Sequence, residues 1–246
     1  EAGEATMHHA QRIEREIRAL EMNIFGRDLQ LNGKIRIGTT EMFAVVVLPP
    51  LVAEFRRINP AVSIDVIASN DPCDLSRRQV DITVCPARKP QQSRVGRHVG
   101  DFEFSVYAAP AYLARAGERD LKDHDWAVSY PLLDLLVPRI WRSREEGYRR
   151  CAFTSNSVMA SIEATAGGMG VSLIAACFAE GDERLIRISD PLDDLTLQLW
   201  ILIHPELRRN ARTTALSRFL ARKLNPQREA FLAKRAPLDA TAAAAP

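Results

Sequence analysis

Apolar residues near the start of the chain recur at alternating spacings of three and four positions, with charged residues between them. This heptad spacing is typical of a helix that packs against a partner helix, because about two heptads are too short to be stable alone. No N-cap residue precedes the run, so we expect a linker or dimerisation helix over residues 1–32 that continues from an upstream segment. The apolar positions are Ala10, Ile13, Ile17, Leu20 and Ile24.

From Gly33 onwards, short runs of alternating apolar residues take turns with amphipathic helical runs. Strand, helix and strand in succession predict a parallel sheet with right-handed crossovers. Pro49 and Pro50 suit the opening turn of the first helix. The pattern predicts strands at 34–38, 62–66 and 80–84 and helices at 48–58 and 74–79.

The same alternation returns in the second half of the chain, which predicts a second α/β lobe. Glycines at 167–170 stop a helix there, since glycine tolerates the left-handed geometry of a helix C-terminus. The near-unbroken apolar run at 195–203 suits a strand buried on both faces, and the tail from residue 236 has nothing to pack and is expected to be disordered. Strands are predicted at 104–108, 171–174 and 195–203, and helices after Pro110, after Asn156 and at 216–224.

Composition narrows the class of protein. Of 246 residues, 46% are hydrophobic and 26% are charged, enough to bury a core. The 33 basic and 31 acidic residues give a net charge of +2, too little to indicate a nucleic-acid surface on this chain. No signal-peptide pattern opens the chain, and no apolar run reaches the roughly 18 residues of a membrane span. We expect a cytoplasmic protein without a membrane partner.

Enzyme and metal-site motifs are absent from the sequence. It has no nucleophile elbow, P-loop, dinucleotide-binding glycine motif or zinc-protease motif, and its five histidines and four cysteines lack ligand spacing. The glycines at 167–170 follow a helix and precede a strand, the reverse of a phosphate loop. We expect no catalytic residue, no cofactor and no metal site.

A run of five arginines surrounds Trp141 and Tyr148. Such a run could clamp an anionic ligand. It is more often a solvated face with one or two aromatic rings turned inward. Both interpretations stay open for Arg139, Arg142, Arg144, Arg149 and Arg150.

Short hydroxyl and amide side chains follow the predicted strands. Open parallel sheets bind ligands beyond the carboxyl ends of their strands, where helix N-termini offer free N–H groups. We therefore predict a site for a small polar or anionic molecule there. The competing interpretation is that these residues are ordinary N-caps. The candidates are Thr39, Thr40 and Met42 after the first strand, Ser69 and Asn70 after the second, and Thr154, Ser155 and Asn156 in the second lobe.

Several segments together resemble the effector-binding domain of LysR-type transcriptional regulators. Each segment is weakly specific, but their order and spacing agree over residues 7–225. Arg78-Gln79 depart from the family pattern, which has Gly-Glu there. The matching segments are 33–38, 48–55, 59–64, 80–84, 109–113, 121–124, 156–171 and 199–205.

The resemblance implies a fold of two Rossmann-like lobes, as in type 2 periplasmic binding proteins, with the effector between them. Residues 33–87 plus 195–235 would form effector-binding lobe I and residues 88–194 lobe II, with 236–246 as the tail. The heptad helix would join homodimers or homotetramers to an N-terminal winged helix-turn-helix, which is absent from this chain and through which alone DNA would be bound.

Two other functions stay open. A solute-binding protein of a transporter shares this fold, but it would need export and leaves the heptad helix without a purpose. A small-molecule enzyme would need a nucleophile or acid–base pair that the sequence does not show. Within the regulator hypothesis, Cys151 and Cys177 lie in the second lobe, where peroxide-sensing relatives place their reactive pair, although the flanking pattern does not match.

Overall fold

The computed structural model describes residues 31–70, 80–87, 95–179, 181–192 and 195–224, and four single positions before them. The chain divides into two compact units. Unit 1 comprises Glu1–Val99 and Leu199–Asn225, and unit 2 comprises Gly100–Gln198 and Pro226–Pro246. The single positions are His9, Ile13, Glu16 and Ile17.

Nine strands and seven α-helices are present in the described ranges. The strands are β1 (Gly33–Thr39), β2 (Val62–Ala68), β3 (Ile82–Ala87), β4 (Val95–Ala108), β5 (Trp126–Ser129), β6 (Cys151–Ser155), β7 (Val171–Ala175), β8 (Ile186–Arg187) and β9 (Thr196–Ile203). The helices are α1 (Leu48–Ile58), α2 (Pro110–Ala116), α3 (Tyr130–Ile140), α4 (Arg144–Arg149), α5 (Val158–Ala166), α6 (Ala176–Ala179) and α7 (Ala211–Leu224).

Unit 1 is built on β1, which pairs in parallel with β2 on one side and with β3 on the other. The sheet continues through β9 to β4. Alternation buries Ile35 and Ile37 of β1 completely. Helices α1 and α7 pack together where the Phe55 and Phe219 rings meet edge to face, with centroids 5.3 Å apart.

The entrance to α1 is wound more loosely than the helix itself. A π-helical segment, Phe43–Val47, precedes α1, and Pro49 and Pro50 occupy its first turn. These prolines have no N–H to donate to the carbonyls one turn earlier, so a regular α-helix cannot run through this point. Val45 and Val46 are left 54% and 48% exposed.

In unit 2 the strand order is β4, β7, β5, β6. Strand β5 pairs in parallel with β6 and β7, whereas β4 runs antiparallel to β7 and β8. The core contains Trp126, which is completely buried and meets the Trp141 ring edge to face with centroids 5.1 Å apart. Thus the sheet of unit 2 is mixed, within the α/β lobe that the sequence predicted there.

The predicted α/β class is confirmed, with differences at element boundaries. The third strand occupies Ile82–Ala87 rather than 80–84, and the strand predicted at 104–108 begins at Val95. Strand β9 is buried at Leu199, Ile201 and Leu202 but half-buried or exposed at its other positions, so its predicted burial on both faces is incomplete.

Some predictions fall outside the described residues. They are the helix at 74–79, the tail at 236–246 and most of the helix at 1–32. Within that last segment, Ile13 and Ile17 are helical and exposed.

Candidate functional site

The carboxyl ends of β1 and β2 bring the first predicted cluster together in unit 1. The two strands pair in register up to Thr39 and Ala68. The Ser69 N–H donates to the Thr39 carbonyl at 2.9 Å and thereby extends the pairing by one residue. Residues that follow β1 therefore lie beside residues that follow β2, as expected for neighbouring parallel strands.

Asn70 and Glu41 are the central pair of this cluster. The Asn70 side-chain oxygen accepts from the Glu41 N–H at 3.1 Å, and the Asn70 amide nitrogen donates to Glu41 Oε2 at 3.1 Å. Asn70 thus satisfies one of the free N–H groups at the start of the helical segment that begins at Glu41 and leads into α1, and it orients the Glu41 carboxylate. Glu41 was not among the predicted site residues, although an acidic residue in the first turn of a helix is a recognised signal.

Two of the predicted residues in unit 1 point inward. Thr39 is completely buried, and its hydroxyl donates to the Val84 carbonyl at 2.7 Å. Met42 is 7% exposed. Thr40 and Ser69 are half-buried, so the polar surface of the cluster comes from these two residues with Glu41 and Asn70.

The second cluster lies at the carboxyl ends of β5 and β6 in unit 2. The parallel register pairs Val128 with Thr154 and Ser129 with Ser155. The hydroxyl oxygens of Tyr130 and Thr154 are 3.3 Å apart. The structure therefore adds Ser129 and Tyr130 to the predicted Thr154, Ser155 and Asn156.

The N-terminus of α5 completes the unit 2 cluster. The Ser157 hydroxyl accepts from the Ala160 N–H at 3.0 Å and caps the helix, while the Ser155 hydroxyl accepts from the Ser157 N–H at 3.0 Å. Asn156 lies between them and is exposed. This loop therefore does cap a helix, as the N-cap interpretation expects, but the capping residue is Ser157 and not one of the predicted residues.

Ser129 differs from its neighbours because its hydroxyl is buried and has no hydrogen-bond partner among the described residues. A buried polar group without a partner costs free energy, which a ligand or a water at this position would recover. The sequence did not single out Ser129 as a site residue, since a serine at the end of an apolar strand is also a common turn residue.

The arginine run of unit 2 forms exposed ion pairs. Arg144 lies 3.3 Å from Asp134, Arg150 lies 3.4 Å from Asp123, and Arg149 pairs with Glu145 one helical turn earlier. Trp141 turns into the core, as the solvated-face interpretation predicts. These pairs leave the anion-clamp interpretation without support at Arg144, Arg149 and Arg150.

Metal binding, thiol reactivity and membrane insertion find little support in the described part of the chain. No group of three or more His, Cys, Asp or Glu side chains there is placed to hold a metal ion. Burial raises the pKa of the Cys151 thiol, which disfavours the reactive thiolate. None of the described helices combines the length and apolarity needed to cross a membrane.

Comparisons with known proteins identify the family. The sequence model of the LysR substrate binding domain matches residues 29–225. An HTH-type transcriptional regulator of Xanthomonas campestris pv. campestris (strain 8004) is 28% identical over 118 residues, which are 48% of this chain and 34% of that protein. The HTH-type transcriptional activator AaeR of Escherichia coli (strain K12) is 23% identical over 183 residues, 71% of this chain and 58% of that protein. The chain therefore spans only part of these relatives.

Solved structures agree at the level of the fold. CrgA, a LysR-type transcriptional regulator from Neisseria meningitidis, has a TM-score of 0.65 at 23% identity, over 91% of this chain and 79% of that one. The Vibrio cholerae virulence activator AphB has a TM-score of 0.66 at 18% identity, over 89% and 78%. These neighbours confirm the predicted fold of two Rossmann-like lobes. Because the family match covers most of the chain, the protein belongs to the LysR substrate binding domain family.

Proposed function

We propose that this chain is the effector-sensing part of a LysR-type transcriptional regulator and that its effector is a small polar molecule bound by the unit 1 and unit 2 clusters. One observation carries the proposal. In both units, hydroxyl and amide side chains gather at the carboxyl ends of parallel strands and beside a helix N-terminus. In open α/β sheets, this is where ligands bind.

The groups present define the chemistry of the ligand. Unit 1 offers the Glu41 carboxylate, one oxygen of which accepts from Asn70. Unit 2 offers the hydroxyls of Ser129 and Tyr130 and the amide of Asn156. A ligand with a hydrogen-bond donor opposite Glu41 is favoured over a purely anionic one, since a second negative charge would be repelled there.

The remaining parts of the proposal concern the whole regulator. Relatives that match this chain are HTH-type transcriptional regulators. We propose that DNA is bound only by an N-terminal winged helix-turn-helix outside this chain, that the subunits form homodimers or homotetramers, and that the regulator works in the cytoplasm. Effector binding would shift the equilibrium between two arrangements of the regulator.

The transporter alternative lacks a supporting observation. A solute-binding protein would share the two-lobed fold, but the family match is to the substrate-binding domain of LysR regulators. An enzyme on this fold would need an activated nucleophile or an acid–base pair, and the hydrogen bonds described above for the two clusters join no hydroxyl to a base.

Thermal unfolding of the purified chain tests the effector site. The compounds would be small carboxylates, aromatic acids, amino acids and inorganic anions. A compound at 100 times its dissociation constant should stabilise the folded state by about 2.7 kcal/mol. Thr40→Val and Asn156→Ala should each reduce that shift, because each removes a polar group from one cluster.

Thr196→Val is the matched control, since Thr196 is exposed on β9 and belongs to neither cluster. It should leave the shift unchanged. The site assignment is wrong if every stabilising compound acts equally on wild type, Thr40→Val and Asn156→Ala. The sensing function loses its support if no compound stabilises the wild type.

A further inference from the structure

A groove of about 590 Å³ lies on unit 1 between α1 and α7, beside the first part of β4. It is separate from the cluster at the ends of β1 and β2, with which it shares no residue. Its volume falls in the range of small-molecule sites. The lining residues are Phe55, Ile58 and Asn59 of α1 and its C-cap, Arg97 of β4, and Ala215, Arg218, Phe219 and Arg222 of α7.

The base of the groove is apolar. Phe55 and Phe219 are 2% and 5% exposed and pack edge to face. Ile58, at the last position of α1, is 66% exposed and presents its side chain at the rim. An apolar body entering the groove would cover Ile58 and remove that surface from water.

Three arginines dominate the charge of the groove. Arg218 and Arg222 are one turn apart on α7, and Arg97 faces the same space from β4; all three are exposed. None of them forms an ion pair or a hydrogen bond with another residue in the described part of the chain. The nearby carboxylate of Glu54 forms an ion pair with Lys223 instead, with Glu54 Oε1 2.6 Å from Lys223 Nζ.

This arrangement contrasts with Arg144, Arg149 and Arg150 of unit 2, each of which lies beside a carboxylate. Three cations in one groove without a counter-ion repel one another, and an anion would relieve that repulsion. A guanidinium presents two parallel N–H groups that match the oxygens of a carboxylate or a phosphate. Asn59, which also lines the groove, adds a neutral polar group.

We propose that this groove is a second ligand-binding site, and that it takes an organic anion with a carboxylate or phosphate head and an apolar body. The head would bind among Arg97, Arg218 and Arg222. The apolar body would lie against Ile58 and the edge of the phenylalanine pair. The site is independent of the proposed effector clusters and does not require them to be occupied.

Isothermal titration of the purified chain with benzoate, phenyl phosphate and inorganic phosphate tests the proposal. Benzoate or phenyl phosphate should bind saturably, and inorganic phosphate more weakly because it has no apolar body. The double variant Arg218→Gln/Arg222→Gln should weaken binding about tenfold or more, since it removes two charged hydrogen-bond donors. Comparing the two aromatic probes shows which head group is preferred.

Arg209→Gln is the matched control because Arg209 is exposed in unit 1 but does not line the groove. It should leave the affinity unchanged, as should Asn156→Ala in the effector cluster. Equal losses in Arg209→Gln and in the double variant would overturn the proposal, because attraction would then come from diffuse surface charge. It would also be overturned if neither aromatic probe binds, if inorganic phosphate binds as tightly as phenyl phosphate, or if only duplex DNA binds.

Discussion

At the scale of single residues, His124 lies buried in unit 2 with its Nδ1 atom 3.2 Å from the Tyr112 hydroxyl. That hydroxyl oxygen accepts from the Asp125 N–H at 3.0 Å, so its own proton is available to His124. Nδ1 then acts as an acceptor, which requires the neutral imidazole. Burial, and after it the charge of Arg119, lowers the pKa of His124 below its ordinary 6.5.

The lowered pKa predicts a loss of stability in acid. The unfolded chain takes up the His124 proton at a higher pH than the folded chain, so the contribution is complete above pH 6.5 and is lost as the pH falls from there towards the lowered pKa. Unfolding midpoints measured from pH 8 to pH 5 check this. His124→Gln, which can still accept from Tyr112 but does not titrate, should show a shallower fall; equal slopes would contradict the assignment.

The backbone at the start of β5 lies so close to Gly170 that there is no room for a side chain there. A methyl group added there would lie 2.3 Å from the Asp125 carbonyl oxygen and 3.1 Å from the Trp126 nitrogen. The same carbonyl accepts from the Val171 N–H at 2.8 Å, so the strands cannot separate without losing that bond. Gly170→Ala should destabilise the protein by about 3 kcal/mol, at the upper end for overpacking.

Gly168 provides the contrast for that measurement. It has open space around its Cα but a φ of +80°. Gly168→Ala should cost only about 1 kcal/mol, from backbone strain alone. Denaturant unfolding of both variants measures the two values, and a larger loss for Gly168→Ala than for Gly170→Ala would show that the close contact at Gly170 relaxes easily.

The sequence located the polar clusters but not the role of each residue within them. Thr39 was predicted because it follows an apolar strand, yet strand pairing turns its hydroxyl to Val84. Glu41 was missed because its position depends on Asn70, which is distant in the sequence. Ser129 was missed because its burial depends on neighbouring strands. Such properties arise from tertiary packing, which local patterns do not record.

At the scale of single elements, the start of α5 depends on Ser157. Its hydroxyl accepts from the Ala160 N–H, and its own N–H donates to the Ser155 hydroxyl. Ser157→Ala should destabilise the protein by about 1 kcal/mol, because it leaves one helix N–H without a partner. Ser157→Asp should restore the stability, since aspartate also caps and favours the helix dipole. Thermal unfolding of both variants decides; equal losses would exclude a capping role.

Strand β4 shows why some element boundaries escaped the sequence pattern. The prediction began at Phe104, where apolar residues alternate, but the strand begins at Val95. Arg97, His98 and Gly100 interrupt the apolar pattern in its first half. Pairing holds this segment extended, and Gly96 lies so close to Leu202 that an added methyl would be 2.4 Å away. By contrast, β1 and α1 were well predicted because each buries one regular face.

At the scale of the whole molecule, a small net charge conceals an uneven distribution. The chain carries +2 in total, yet α7 alone contains three arginines and one lysine and no acidic residue. The net charge argued only against a nucleic-acid surface on this chain, and it does not record where the charges lie. Helix packing gathers Arg218 and Arg222 beside Arg97.

The path of the chain predicts that the two units unfold together. Strands β4 and β9 each contribute residues to both units, because the boundaries at 99/100 and 198/199 fall inside them. Unfolding one unit alone would leave half of each strand without its sheet partners, which costs backbone hydrogen bonds. We therefore expect one cooperative transition rather than two.

Tryptophan fluorescence and far-ultraviolet circular dichroism can be compared to test this cooperativity. The chain has three tryptophans, and Trp200→Phe leaves Trp126 and Trp141, both buried in unit 2, as reporters of that unit. Circular dichroism reports the helices of both units. The two signals should give the same denaturant midpoint in Trp200→Phe, and adding Gly170→Ala should lower both midpoints equally. A fluorescence midpoint that falls while part of the dichroism transition stays in place would mean that unit 1 remains folded without unit 2, and that the continuous strands do not couple them.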